Sequence, residues 1–333
     1  MNSNNTNASE REAREQPKRA AVVLGAGGAR GLAHIGVLQV LNERGFEVCA
    51  IAGASMGALI GGVYAAGMLD EYQDWASALE RSDVVRLLDF SFGRPGLIKG
   101  DRVIAAVREL VGAHEIEELP IPYIAVATDI RSQREVWISK GPLFDAIRAS
   151  IAIPMVFTPH RLHGRDLVDG GLLAPVPIAA TRLFQADLVI AVDVNAHATP
   201  PALRSASMEL LASRHDNPSD APVQPDEPAK DAESGTTRGR IDEFLSRLMG
   251  KESKDPPKAE AGLMELMSLS LDTIQARISH MQLALDPPDV LIRVPHQACF
   301  FYEFWRAQEM IEIGRQAASK ALDLYAQGHP DPE

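Results

Sequence analysis

Apolar residues along this chain follow two rhythms, and the switches between them predict the elements. A short uninterrupted apolar run at residues 21–24 meets the glycine-rich stretch GAGGARG at 25–31. Leu32, Ile35, Leu38 and Leu41 then recur at helical spacing up to Gly45, a helix-ending residue. The same strand, turn, helix order repeats at once: a buried strand at 46–52, the turn GASMG at 53–57, and a small-residue helix ending near Gly67. Further buried strands are expected at 121–128, 135–139 and 188–194, and helices at 101–111, 143–150 and 177–184. Such alternation predicts an α/β fold with a largely parallel sheet and helices on both faces.

The polar stretches divide the chain. Residues 1–20 lack any apolar core and read as a disordered leader; 21–195 read as the core; 196–261 turn rich in Pro, Ser, Asp, Glu and Lys and read as a disordered insertion. Within that insertion Ile241, Phe244, Leu245, Leu248 and Met249 share one face of a short helix, which could pack on its own domain or touch lipid or a partner. A helix at 263–285, a strand at 290–294 and a long helix at 302–325 follow. A lone strand needs a sheet, so residues 262–328 are expected to complete the same domain.

Composition narrows the function classes. With 333 residues and 46% hydrophobic content the chain can bury a large core. A net charge of -12 argues against nucleic acid as a partner, because phosphate neutralisation needs a basic face. Its two cysteines, Cys49 and Cys299, sit in no metal-binding or disulfide spacing. A leader without a secretory apolar segment makes the cytoplasm the expected compartment, with the inner membrane face as a possible place of transient contact.

Residues 48–69 carry no charge and repeat glycine at 53, 57 and 61, as membrane-packing helices do. Their alanine and glycine content weighs against insertion. The rival reading is a strand leading into G-x-S-x-G, where Gly53 and Gly57 let Ser55 stand on a tight turn as a nucleophile. Backbone N–H groups of the earlier glycine loop would suit a phosphate or a developing oxyanion. A dinucleotide fingerprint fails, since Arg30 occupies its third glycine position. For a base, His160, His163, His280 and His296 are available as imidazoles. Asp169 in LVDGGLLAPVP is the alternative, with Gly170 and Gly171 permitting close backbone approach, and Asp129 and Asp193 also fall at expected strand ends.

In this order GAGGARG, GASMG and DGG, with GLAHIGVL after the first and RASIAIPMVFTP before the last, resemble the patatin-like phospholipases. The similarity is to the bacterial branch related to the neuropathy target esterase catalytic domain. The resemblance implies a three-layer α/β/α fold and a Ser-Asp dyad that hydrolyses lipid esters through an acyl-enzyme, as a phospholipase, lysophospholipase or carboxylesterase. It implies a lipid ester substrate and neither metal nor cofactor. Matched by position, Ser55 is the nucleophile, Asp169 the base, and Gly27 and Gly28 the oxyanion-hole donors. Gly25, Arg30, Gly31, Gly53, Gly57, Gly170 and Gly171 are the supporting motif positions. Ala26 departs from the family's triple-glycine start. A regulatory or binding protein that keeps the fold with little catalysis is the alternative.

Overall fold

The computed structural model describes residues 18–89, 98–196 and 263–328; the side chains of 263–269 are not described. The stripe at 241–249, nearly all of the expected insertion and most of the leader lie outside these residues. β1 (Arg19–Leu24) already begins inside the segment read as leader, because its apolar residues are all buried in the sheet's centre.

Eight strands form one sheet: β1, β2 (Glu47–Ala54), β3 (Tyr123–Asp129), β4 (Arg134–Ile138), β5 (His160–Leu162), β6 (Arg165–Asp169), β7 (Leu188–Ala196) and β8 (Val290–Pro295). Their order is β5-β6-β3-β2-β1-β7-β8, with β4 also paired to β3. The run β3-β2-β1-β7-β8 is parallel, and β4, β5 and β6 are antiparallel additions. As expected, the late strand β8 rejoins the first sheet, beside β7.

Alternation along β1 sorts the core into two layers. Ala20, Val22 and Leu24 pack with residues of α1 (Ala33–Glu43), α2 (Met56–Ala65), α6 (Leu143–Ser150) and α8 (Ala307–Ala326). Ala21 and Val23 face the other way, against Val176, Ile178 and Leu283. That second face is shallow: Ala50, Ala52, Ala54 and Ala191 line it, and a 3₁₀ turn at Ile178–Leu183 and α7 (Leu263–Leu285) cover it. The remaining helices are α3 (Leu69–Ala78), α4 (Arg81–Leu87) and α5 (Asp101–Val111).

The charge-free run at 48–69 is thus a buried strand and a buried helix of one globular core, which corrects the membrane-span alternative. Among the described residues no helix is long and apolar enough to cross a membrane. Residues 177–184 form the 3₁₀ turn rather than an α-helix. The β5–β6 hairpin was not expected. His163 and Gly164 both take positive φ, 48° and 77°, as a two-residue hairpin turn requires, but His-Gly lacks the usual Asn-Gly or Asp-Gly signature.

Candidate active site

Ser55 stands where β2 ends and α2 begins. Its backbone holds φ 54° and ψ −123°, a conformation that costs a residue with a side chain on the order of 1–3 kcal/mol. The turn is tight enough that a Cβ on Gly57 would lie 2.0 Å from the Leu24 carbonyl oxygen. A serine at a helix start ordinarily caps the helix with its hydroxyl. Ser55 makes no such bond, and its Oγ instead donates to Asp169 Oδ2 at 2.5 Å.

Asp169 arrives from the opposite direction. β4 occupies one edge of β3, so β2 and β6 must share the other. β2 runs parallel to β3 and stops with Ala54 opposite Val126. β6 runs antiparallel and stops with Asp169 opposite Ala127. Two strands therefore end head-on at consecutive positions of one edge, and the residues at their tips meet. Ser150, at the end of α6, braces this junction: Ser55 N–H donates to Ser150 Oγ at 2.9 Å, and that hydroxyl donates to the Val126 carbonyl at 2.6 Å.

The two side chains are buried, with Ser55 3% and Asp169 2% exposed. Burial disfavours the carboxylate and pushes the Asp169 pKa up to about 7, while hydrogen bonds from Ser55 Oγ and from Gly171 N–H at 2.7 Å pull it back down. A carboxyl group poised near neutrality can take up and return a proton at physiological pH.

The glycine loop lies between these parts. Gly25, Ala26 and Ala29 N–H donate to Val192, Pro175 and Phe301 carbonyls. Those of Gly27 and Gly28 have no acceptor among the described residues. Gly28 takes φ +55°, and a Cβ there would press to 2.5 Å from the Phe301 carbonyl oxygen. Ala26 fits because its methyl joins the shallow core beside Ala54 and Val126. Gly31 lies against Met56, the residue after Ser55.

Arg30 is buried and turned into the scaffold. Its Nε donates to Asn195 Oδ1 at 2.9 Å and its Nη1 to the Cys299 carbonyl at 3.2 Å, while Asn195 Nδ2 donates to the Ala26 carbonyl at 2.7 Å. Arg30 and Asn195 thus tie the loop to the end of β7. His34 adds a third tie, with Nε2 2.9 Å from the Gly25 carbonyl. Burial lowers its pKa to about 4, so the ring is neutral and the bond requires the Nε2–H tautomer.

The rival groups are engaged elsewhere. Asp129 Oδ1 accepts from Arg131 and Ser132 N–H in a turn after β3, and Asp193 Oδ1 accepts from Asn195 N–H. His160 lies on β5, His163 in the hairpin turn, His280 on the exposed face of α7, and His296 faces Asp272 at 3.7 Å. Among the described residues no imidazole bonds Ser55 or Asp169. Sequence reasoning missed Ser150, Asn195 and His34. His34 is one polar residue in an apolar run, while Ser150 and Asn195 follow Arg148 and Asp193 by two residues, and none of these patterns names a partner.

The patatin-like phospholipase family model matches residues 22–182, a span that contains the glycine loop, the Ser55 turn and Asp169. An NTE family protein of Mycobacterium tuberculosis strain H37Rv is 42% identical over 332 residues, covering 92% of each chain. This chain belongs to the patatin-like phospholipase family, on its NTE branch. Human patatin-like phospholipase domain-containing protein 6 is 32% identical over 182 residues, which are 53% of this chain and 13% of that protein. VipD from Legionella pneumophila aligns with 93% of this chain and 67% of its own at 13% identity and a TM-score of 0.41, too distant to add to the argument. The patatin-like fold described above, mostly parallel and flanked by helices, agrees with membership, and the family is one of lipid hydrolases.

Proposed function

We propose that this protein is a serine lipid acyl hydrolase in which Ser55 and Asp169 act as the catalytic dyad. The observation that carries the reading is the 2.5 Å bond from Ser55 Oγ to a buried carboxylate at a strained strand-to-helix turn. Asp169 takes the hydroxyl proton as Ser55 Oγ attacks the carbonyl carbon of a fatty-acyl ester. The free N–H groups of Gly27 and Gly28 receive the oxyanion that forms. Collapse of that intermediate breaks the ester bond, and the departing alkoxide takes the proton from Asp169. Water, giving its proton to Asp169, then attacks the acyl-serine; the fatty acid leaves and the proton returns to Ser55. Each step needs only groups of this chain, water and the ester, and the substrate resides at a membrane surface facing the cytoplasm.

A fluorophosphonate probe tests this, since it reacts with serines activated by a base. Labelling of the wild type that disappears in Ser55→Ala, together with release of fatty acid from phospholipid or lysophospholipid, is the expected result. Absence of labelling in folded wild-type protein would favour a binding or regulatory role for the same fold.

A further inference from the structure

α7 has two faces with different work. Its inner face packs on the turn that follows Asp169: the Gln275 amide would stand 3.1 Å from a Cβ on Gly171, and Gln282 Nε2 donates to the Leu173 carbonyl at 3.1 Å, while Asp272 lies 3.7 Å from His296. The helix therefore roofs the turn that carries Asp169. Its outer face between 270 and 285 presents Ser270, Thr273, Ile274, Arg277, His280, Met281, Ala284 and Leu285 to solvent. It holds no acidic residue, in a protein of net charge -12. Ile274, Met281 and Leu285 are 53%, 53% and 83% exposed at spacings of seven and four, so they form one stripe.

Seven large hydrophobics are exposed among the described residues, and three of them, Ile274, Met281 and Leu285, lie on this face of α7. Leu183 follows Arg182, which is paired with Asp286 just past the end of the helix. Ile130 and Trp137 lie away from it, at the β3–β4 end of the sheet. An exposed helix face that combines apolar anchors with the cationic Arg277 and excludes acids complements the acyl and phosphate layers of a lipid surface.

We infer that the outer face of α7 seats the protein on a phospholipid bilayer with the roof of the Ser55–Asp169 site against the lipid. The hydrolase reading enters only in choosing a bilayer as the occupant. Flotation with vesicles of phosphatidylcholine and phosphatidylglycerol tests it, using the full chain. Wild type is expected to float, and the triple variant Ile274→Asp, Met281→Asp, Leu285→Asp to lose at least about tenfold in vesicle partitioning. Leu285→Asp alone, at the most exposed position, is expected to lose about threefold and serves if the triple variant misfolds. Ile130→Asp with Trp137→Asp is expected to float like wild type.

Failure of wild type to float, undiminished flotation of the α7 variants, or equal loss in the Ile130 and Trp137 variant would each overturn the inference. So would a wild-type dimer that the α7 substitutions split, since the face would then meet a second copy. Wild-type fatty-acid release is measured separately on a detergent-dispersed lysophospholipid. Flotation without release would sink the hydrolase reading and leave the surface standing, and release without flotation would do the reverse.

Discussion

Replacing Asp169 by asparagine should sharply lower turnover and stabilise the fold, and the second effect should depend on pH. In the folded protein the carboxyl group titrates near 7 instead of 3.8, because it is buried. A difference of about 3 units corresponds to about 4 kcal/mol between its two protonation states. The sign follows from proton binding. Between those values the folded state holds the proton that the unfolded state has released, so stability falls as pH rises across the window. The favourable contribution is whole below about pH 4 and gone above about pH 7. Asparagine is neutral throughout and still offers an oxygen to the Gly171 N–H, but it loses the charge-assisted bond from Ser55, so the net gain at high pH should be about 1–3 kcal/mol. Denaturant unfolding of both proteins at pH 4.5, 6 and 8.5, on the order of the window's span, reads this directly. Asp169→Asn should be close to wild type in acid and more stable in base, while its turnover falls by about 10²–10⁴-fold. A stability difference that stays constant with pH would refute the raised proton affinity of a buried Asp169 carboxyl group.

Three further outcomes follow from the same geometry. Ser55→Gly and Ser55→Ala should both be inactive, but the glycine variant should unfold about 1 kcal/mol later than the alanine variant, since only glycine relieves φ 54°; thermal unfolding compares them. Ser150→Ala should cost about 1–3 kcal/mol by leaving the Val126 carbonyl and Ser55 N–H unpaired, and should lower kcat more than it raises KM because the Ser55 turn loosens. Gly28→Ala should lower kcat by about a hundredfold or more with little change in KM, because its methyl would displace the loop from the Phe301 carbonyl; steady-state kinetics on a detergent-dispersed lysophospholipid measures both variants.

The alternation of apolar runs carried the central parallel strands into view because each is buried on both faces and bounded by glycine or charge. The Ser55 turn was legible for the same reason: strand, G-x-S-x-G and helix are contiguous, so local spacing contains the whole device. Asp169 was a different case. Its partnership with Ser55 depends on β6 running antiparallel along the edge that β2 leaves vacant, and β6 is reached through the hairpin turn that His163 and Gly164 close. Three residues of β5 and five of β6 are too few to print a period of two against surrounding polarity. From residue types alone Asp129 and Asp193 were acids at expected strand ends and Asp169 an acid on an Asp-Gly-Gly turn, and it was mainly the resemblance that favoured Asp169.

What separates them physically is direction. Asp129 and Asp193 belong to strands parallel to β2, so their neighbours are the loops that follow those strands, and backbone N–H groups in those loops claim their oxygens. Asp169 belongs to a strand pointing the other way, and its tip faces the tip of β2 across the gap between Val126 and Ala127. A sheet that were parallel throughout would carry its strand ends to one side and give Ser55 no carboxylate approaching from ahead. The antiparallel hairpin is therefore the structural condition for the hydrogen bond between Ser55 and Asp169. It also explains why the Asp169 carboxyl group is desolvated: a side chain at the meeting point of two strand ends, covered by α7 and backed by α6, is 2% exposed, and its proton affinity rises accordingly.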